Sequence, residues 1–148
     1  MIKTGFPVIH FYDQDFVDIY NKTWLWLGDF WKKGNKKNGF QNKYYCYPES
    51  TTINQFEACL STFFLVYSNS TYSPAPALDN FYNKQEESGA IRGIYNEADG
   101  KAVFPRDNPE CLFPPLFAWA EFNIYHKVGI KKRLKEVIPV LERYYEWI

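Results

Sequence analysis

The most constraining feature of this chain is an apolar segment that follows three hydroxyl residues. Its spacing predicts a helix over about 53–68, with apolar side chains on nearly every side: Phe56, Cys59, Leu60, Phe63, Phe64 and Val66. A helix with so little polar surface is expected to be buried all round, so the rest of the chain must pack around it. Ser50, Thr51 and Thr52 offer hydroxyl caps for its first turn.

Three unlike side chains stand next to each other where this helix begins. Gln55, Phe56 and Glu57 supply an amide, an aromatic ring and a carboxylate. A lone carboxylate is costly to desolvate unless something binds it. The N-terminus of a helix also favours negative charge, so Glu57 has a plain structural interpretation as a first-turn acid. The residues alone leave both interpretations open.

Four further helices are predicted from the spacing of apolar residues. The first begins at Asp13 or Asp15 and reaches about residue 33, and a solvated break follows at 34–39. The others cover about 77–87, from Pro114 and Pro115 to about 127, and about 130–148. The last of them has a polar outer face that consists of Lys131, Lys132, Arg133, Lys135 and Glu136.

The stretch 90–111 lacks helical periodicity. Residues 91–95 and 102–104 predict short strands around a turn at 96–100. Asp99 precedes a glycine in a typical hairpin-turn dipeptide and is interpreted as a turn residue, and Glu97 is treated in the same way.

Charge and cysteine usage exclude several classes of function. Lys and Arg total 17, as do Asp and Glu, so no net field recruits nucleic acid or an anionic membrane. No apolar stretch is long enough to span a bilayer. Cys46, Cys59 and Cys111 lack metal-like spacing, and His10 and His126 stand far apart, so we expect no metal, no cofactor and no catalytic triad. The cytoplasm is the expected compartment.

Aromatic residues make up 20% of the chain and are spread along its whole length. Sugar-binding clefts use aromatic faces in this way, but Trp and Tyr also serve as ordinary core and interface residues. Trp24, Trp26 and Trp119 are interpreted as core residues rather than as sugar platforms.

The predicted helices alternate in expected burial. The second and fourth are apolar on most sides, whereas the first, third and fifth keep a polar face. An inner layer packed against an outer layer is the pattern of an all-α toroid or solenoid. The inner helices would then begin on a common rim, where residues 55–57 and 114–117 would lie together.

Five short motifs carry a family resemblance. They lie in order at 54–59 (NQFEAC), 78–85 (LDNFYNKQ), 89–93 (GAIRG), 114–121 (PPLFAWAE) and 144–147 (YYEW). Together they resemble the trehalase-like and glycoside hydrolase family 63 group, which includes mannosylglycerate-hydrolase-type enzymes. The resemblance spans essentially the whole chain.

The resemblance implies a fold and a set of sugar contacts. The fold is a toroid of six helical hairpins, of which residues 1–148 would form a single helical domain, the N-terminal half, with about five helices and one β-hairpin-like loop. The family's Trp-Asp pair, which contacts the sugar, falls on Phe56 and Glu57, beside Gln55. Gln85 and Arg92 fall where relatives direct polar groups toward the cleft.

The resemblance also implies an activity. Such enzymes hydrolyse α-glycosidic bonds with inversion, which needs two carboxylates spaced for a water molecule between them. No residue of this chain matches the family's general acid or general base, so we expect a fragment of a glycoside hydrolase that is inactive alone. The alternative is a non-catalytic carbohydrate-binding or protein-interaction module. Half a toroid would expose apolar helix flanks, which predicts self-association.

Overall fold

The computed structural model describes residues 5–68, 71–105, 108 and 113–148. Within these residues the chain forms five α-helices, one 3₁₀ turn and four short strands. In chain order they are α1 (Gln14–Trp26), the 3₁₀ turn (Leu27–Phe30), β1 (Trp31–Lys32), β2 (Tyr44–Tyr45), β3 (Thr52–Asn54), α2 (Gln55–Leu65), α3 (Ala75–Tyr82), β4 (Ile94–Asn96), α4 (Phe117–Val128) and α5 (Lys131–Trp147).

The expectation of an all-α toroid is wrong, because the helices are combined with two small antiparallel sheets. β1 pairs with β2, and β3 pairs with β4 so that Ile53 lies opposite Tyr95. The paired segments are rich in aromatic and β-branched residues, which suit a half-buried pleated surface. The fold is therefore a mixed α/β arrangement rather than part of a six-hairpin toroid.

The start of α2 is fixed by the sheet that precedes it. β3 continues directly into α2, and the Asn54 side chain caps the helix by accepting from the N–H groups of Phe56 at 2.8 Å and Glu57 at 3.4 Å. The N–H of Gln55 donates to the carbonyl of Gly93 at 2.8 Å. The predicted hydroxyl caps at 50–52 are wrong, since Thr52 lies in the strand. The sheet and the cap together set the direction in which Glu57 leaves the helix.

The main core forms where α2 packs on α4, with α3 packed on α2 and α5 packed on α4. Cys59, Leu78, Phe81 and Phe117 are fully buried there. A second cluster under α1 contains Trp24, Leu27, Phe30, Tyr45 and Leu65. Each cluster buries one face of α2, so this helix joins the two halves of the core.

The prediction that α2 is buried all round is wrong. Phe56, Leu60 and Phe64 are 41%, 38% and 38% exposed. Trp24 lies in the core as predicted, but Trp26 and Trp119 are 63% and 47% exposed. The burial of an aromatic side chain on a helix depends on the face on which it lies, and Trp26 and Trp119 lie on outward faces.

The stretch after α3 forms part of the predicted hairpin. β4 covers 94–96 and Tyr95 forms a bridge with Ala102. Asp99 accepts from the N–H of Lys101 at 3.0 Å, which confirms it as a turn residue. Residues 106–107 and 109–112, which include Cys111, lie outside the described residues.

No helix in the described part of the chain combines the length and apolar character needed to cross a membrane.

Candidate functional site

Glu57 lies in the first turn of α2 and is partly buried. No hydrogen bond or ion pair among the described residues uses its carboxylate. Burial raises the pKa of this carboxyl above its ordinary value. The positive end of the helix dipole favours the charged form and acts on this carboxyl in the opposite direction.

Tyr45 lies close to this carboxylate, and two further aromatic rings contact Tyr45. Tyr45 has a pKa raised to about 12, first by burial and then by the charges of Tyr47 and Glu57. The ring of Tyr45 lies 5.7 Å from that of Phe64 and 6.3 Å from that of Tyr47. We call the group formed by Tyr45, Tyr47, Phe56, Glu57 and Phe64 the Glu57 surface.

A small cavity lies beneath the Glu57 surface. Its volume is about 10 Å³, and Glu57, Tyr45 and Cys46 are among the residues that line it. A cavity of this size holds at most one water molecule. A larger ligand of Glu57 must therefore bind from the outer side.

Phe56 presents its ring to solvent beside Glu57 in the sequence. The residue is 41% exposed, and its ring has no aromatic neighbour among the described residues. Its backbone N–H is held by Asn54, so the helix cap fixes the backbone from which the ring projects.

Gln55 lies in the interior and not on the Glu57 surface. Its Nε2 donates to the carbonyl of Pro114 at 3.3 Å and to the hydroxyl of Tyr144 at 3.4 Å. Its Oε1 is buried and has no hydrogen-bond partner in the described part of the chain. Gln55 therefore links the start of α2 to the segment before α4 and to α5.

Gln85 and Arg92 are held by contacts within the chain. Gln85 donates to the carbonyls of Gly89 at 2.9 Å and Val140 at 2.8 Å, and its Oε1 accepts from Arg143. Arg92 is 4% exposed and its Nε donates to Glu86 at 2.8 Å. Of the five predicted sugar contacts, Phe56 and Glu57 are neighbours at the start of α2 that reach solvent, Gln55 and Arg92 are buried, and Gln85 is partly exposed but hydrogen-bonded within the chain.

Glu97 is a residue whose importance the sequence did not show. It accepts from the hydroxyl of Tyr44 at 2.5 Å and pairs with Lys32 at 2.7 Å, while its backbone carbonyl accepts from Asn38 at 2.7 Å. Burial and the neighbouring Glu97 raise the pKa of Tyr44. This network connects the sheet of β1 and β2 to the turn after β4, so Glu97 is structural and not a simple turn residue.

Glu121 has the partners that its buried position requires. It is 2% exposed and accepts from Arg133 Nε at 2.8 Å, from Arg133 Nη2 at 2.7 Å and from the Tyr82 hydroxyl at 3.0 Å. Arg133 Nη2 also donates to Asp79 at 3.0 Å. The prediction that Arg133 belongs to a solvated outer face is wrong. Its helical spacing from Val137 and Leu141, which are buried on α5, was the available signal.

The described residues contain no group of three or more His, Cys, Asp or Glu side chains arranged to hold a metal ion. The Glu57 surface offers a carboxylate acceptor beside aromatic side chains.

Comparison with known proteins identifies a relative but no function. No family model matches the sequence. No solved structure matches it. A protein of Borreliella burgdorferi strain B31, described as an uncharacterized protein, is 49% identical over 152 residues. The match covers the whole of this chain but 31% of the relative, so the chain spans about a third of the length of the curated relative it matches.

Proposed function

We propose that the Glu57 surface binds carbohydrate, and that the chain contributes this surface to a glycoside hydrolase of the trehalase-like and family 63 group that it resembles. The observation that carries the proposal is the partly buried Glu57 carboxylate, which no described residue pairs with and which lies among aromatic rings. We propose the family's carbohydrate binding and activity, but not its six-hairpin toroid, because the chain has a mixed α/β fold.

The chemistry of the Glu57 surface fits a sugar. A carboxylate accepts strong, charge-assisted hydrogen bonds from hydroxyl groups. The exposed rings of Phe56 and Tyr47 offer apolar faces of the kind that cover the C–H side of a pyranose. A sugar hydroxyl bound to Glu57 would supply the donor that none of the described residues provides.

We propose that bond cleavage is carried out by residues other than those of this chain. Inverting hydrolysis needs an acid and a base on opposite sides of the bond, and no residue of the chain matches the family's pair. We therefore assign substrate contact to these 148 residues and assign hydrolysis of α-linked glycosides to the parent protein. The cytoplasm is the proposed compartment, since Cys46 and Cys59 are free thiols.

The proposal is tested by titrating the ¹⁵N-labelled chain with α-linked disaccharides and glycosylated small acids. We expect amide shifts at residues 45–47 and 56–64, and an affinity about tenfold lower in Glu57→Gln, because one hydrogen bond to a charged group is lost. Glu142→Gln, an exposed acid on α5, is the matched control and should bind as the wild type does.

Either of two results would reject the proposal. One is the absence of shifts around Glu57 with every disaccharide and glycosylated acid at tens of millimolar. The other is binding that Glu57→Gln leaves unchanged, which would return Glu57 to the role of a first-turn acid.

A second candidate function, self-association, has an observation of its own. Phe56, Leu60 and Phe63 lie at helical spacing on α2, and the ring of Phe63 lies 4.0 Å from that of Trp119 on α4. With the exposed Phe122 they form an aromatic strip across two packed helices. Exposed apolar strips of this kind often mark protein interfaces. Sedimentation of the same sample separates the candidates, since a dimer that Phe122→Ser dissociates would favour an interface between two copies.

A further inference from the structure

A cleft of about 430 Å³ lies where the C-terminal half of α4 meets the start of α5, and it shares no lining residue with the Glu57 surface. Its volume is within the range of small-molecule sites. Most of its wall is apolar and consists of Leu65, Ile124, Val128, Ile130 and Leu134.

One end of the cleft is polar, because Arg133 and Glu121 also line it. Arg133 Nε and Nη2 donate to Glu121 and Asp79. No hydrogen bond among the described residues uses Arg133 Nη1, so its two N–H donors remain available. The two carboxylates fix the plane of the guanidinium group, and its remaining donors are therefore pre-oriented.

The charge balance at this end selects the kind of acceptor. The positive charges of Arg133 and Lys127 balance the negative charges of Asp79 and Glu121. The Lys127 ammonium lies 4.5 Å from the centre of the Tyr67 ring. A ligand carboxylate would add an unbalanced negative charge to this poorly solvated site, whereas a neutral oxygen would not.

We propose that this cleft binds a neutral, largely apolar small molecule with one oxygen acceptor, which accepts from Arg133 Nη1 while the hydrocarbon part fills the space between α4 and α5. The proposal is independent of sugar binding at Glu57.

Three matched probes test the ligand class on the full ¹⁵N-labelled chain. They are 2-acetylnaphthalene, which has a carbonyl; 2-ethylnaphthalene, which has no acceptor; and 2-naphthoate, which is an anion. We expect the ketone to shift amides at 124–134 and to bind about tenfold tighter than the hydrocarbon, because its oxygen bonds to a charged donor. The anion should bind more weakly than the ketone. Equal affinities for ketone and hydrocarbon, tighter binding of the anion, or no shifts with any probe would overturn the proposal.

A blocking variant shows whether the probes enter the cleft. Val128→Trp places a larger side chain at the edge of the cleft without touching the ion pairs, and Phe122→Trp is its control on the exposed face of α4. We expect Val128→Trp to weaken binding of the ketone at least tenfold and Phe122→Trp to leave it unchanged. The reverse result would mean that the probes bind the aromatic strip, and the proposal would fail.

Discussion

Glu57 and Glu121 are carboxylates on two apolar helices that pack against each other, yet their surroundings differ. Glu121 is 2% exposed and accepts three hydrogen bonds, two from Arg133 and one from Tyr82. Glu57 is partly solvated and has no partner among the described residues. The hydrogen bonds that the Glu121 carboxylate can accept are made to residues of the fold. The Glu57 carboxylate accepts none from the described residues, so it can still accept them from a ligand.

The largest expected effect is that of Glu121→Gln on stability. The substitution keeps the size of the side chain but removes the charge that Arg133 pairs with, and breaking a buried pair typically costs about 3–5 kcal/mol. We expect a loss of that order in the free energy of unfolding, measured by urea denaturation. Glu57→Gln is the matched control and should change it by less than about 1 kcal/mol, the usual worth of a first-turn acid. Equal losses in the two variants would show that Glu121 contributes no more to stability than Glu57 does.

A double variant sharpens this result. Replacing a whole buried ion pair with apolar residues is often close to neutral, because no uncompensated charge remains. Glu121→Met combined with Arg133→Met should therefore recover most of the stability that Glu121→Gln loses. Asp79 stays partly solvated and can be hydrated after Arg133 is removed. A double variant no more stable than Glu121→Gln would show that the ion pair stabilises the fold by more than compensating its own buried charges.

An intermediate effect is expected at the third carboxylate, Glu97. Tyr44→Phe removes one of its donors and leaves Glu97 with Lys32, so the free energy of unfolding should fall by about 1–3 kcal/mol. Tyr12→Phe is the control, because Tyr12 is 91% exposed. If the two variants unfold at the same urea concentration, the Tyr44–Glu97 hydrogen bond does not stabilise the fold, and Glu97 is not a structural acid of the kind that Glu121 is.

The sequence predicted those features that depend on one segment alone. α2 was predicted because its apolar density is high, and α5 because apolar residues recur at helical spacing: Leu134, Ile138, Leu141, Tyr145 and Ile148. The face of α5 that is buried is a neighbouring one, which carries Val137, Leu141 and Tyr144. The position of Glu57 in a first turn is likewise a local property. The cap was misplaced by a few residues, because Ser50, Thr51 and Thr52 are as competent as Asn54 when the strand before the helix is not known.

The features that the sequence missed depend on pairing between distant segments. β1 and β2 are two residues long, and their pairing is set by the loop between them rather than by alternation. The partners of Glu97 are Lys32 and Tyr44. Those of Glu121 are Arg133 at the start of α5 and Tyr82 on α3. Whether a carboxylate is paired is therefore a tertiary property, and it separates the structural acids from the candidate site.

The smallest expected effect concerns the ionisation of Glu57. Burial raises its pKa, so the folded chain binds this proton more tightly than the unfolded chain does. Ionised Glu57 therefore costs stability above its folded pKa, and that cost disappears as pH falls below the ordinary carboxyl value. The difference in unfolding free energy between Glu57→Gln and the wild type should favour the variant more at pH 7 than at pH 4. This pH-dependent difference in stability is expected to be small, because solvent reaches the Glu57 carboxyl and screens its charge.

A direct titration links this carboxyl to its proposed ligand. The ¹³C resonance of Glu57 Cδ, assigned by its absence in Glu57→Gln, should report a pKa above the ordinary value of a carboxyl in the free chain. A sugar hydroxyl that donates to the charged form stabilises it, so a bound disaccharide should lower this pKa. A disaccharide that binds but leaves the pKa unchanged would show that its hydroxyls do not reach the carboxylate. Glu57 would then be a structural first-turn acid, although no residue that the structure describes pairs with its carboxylate.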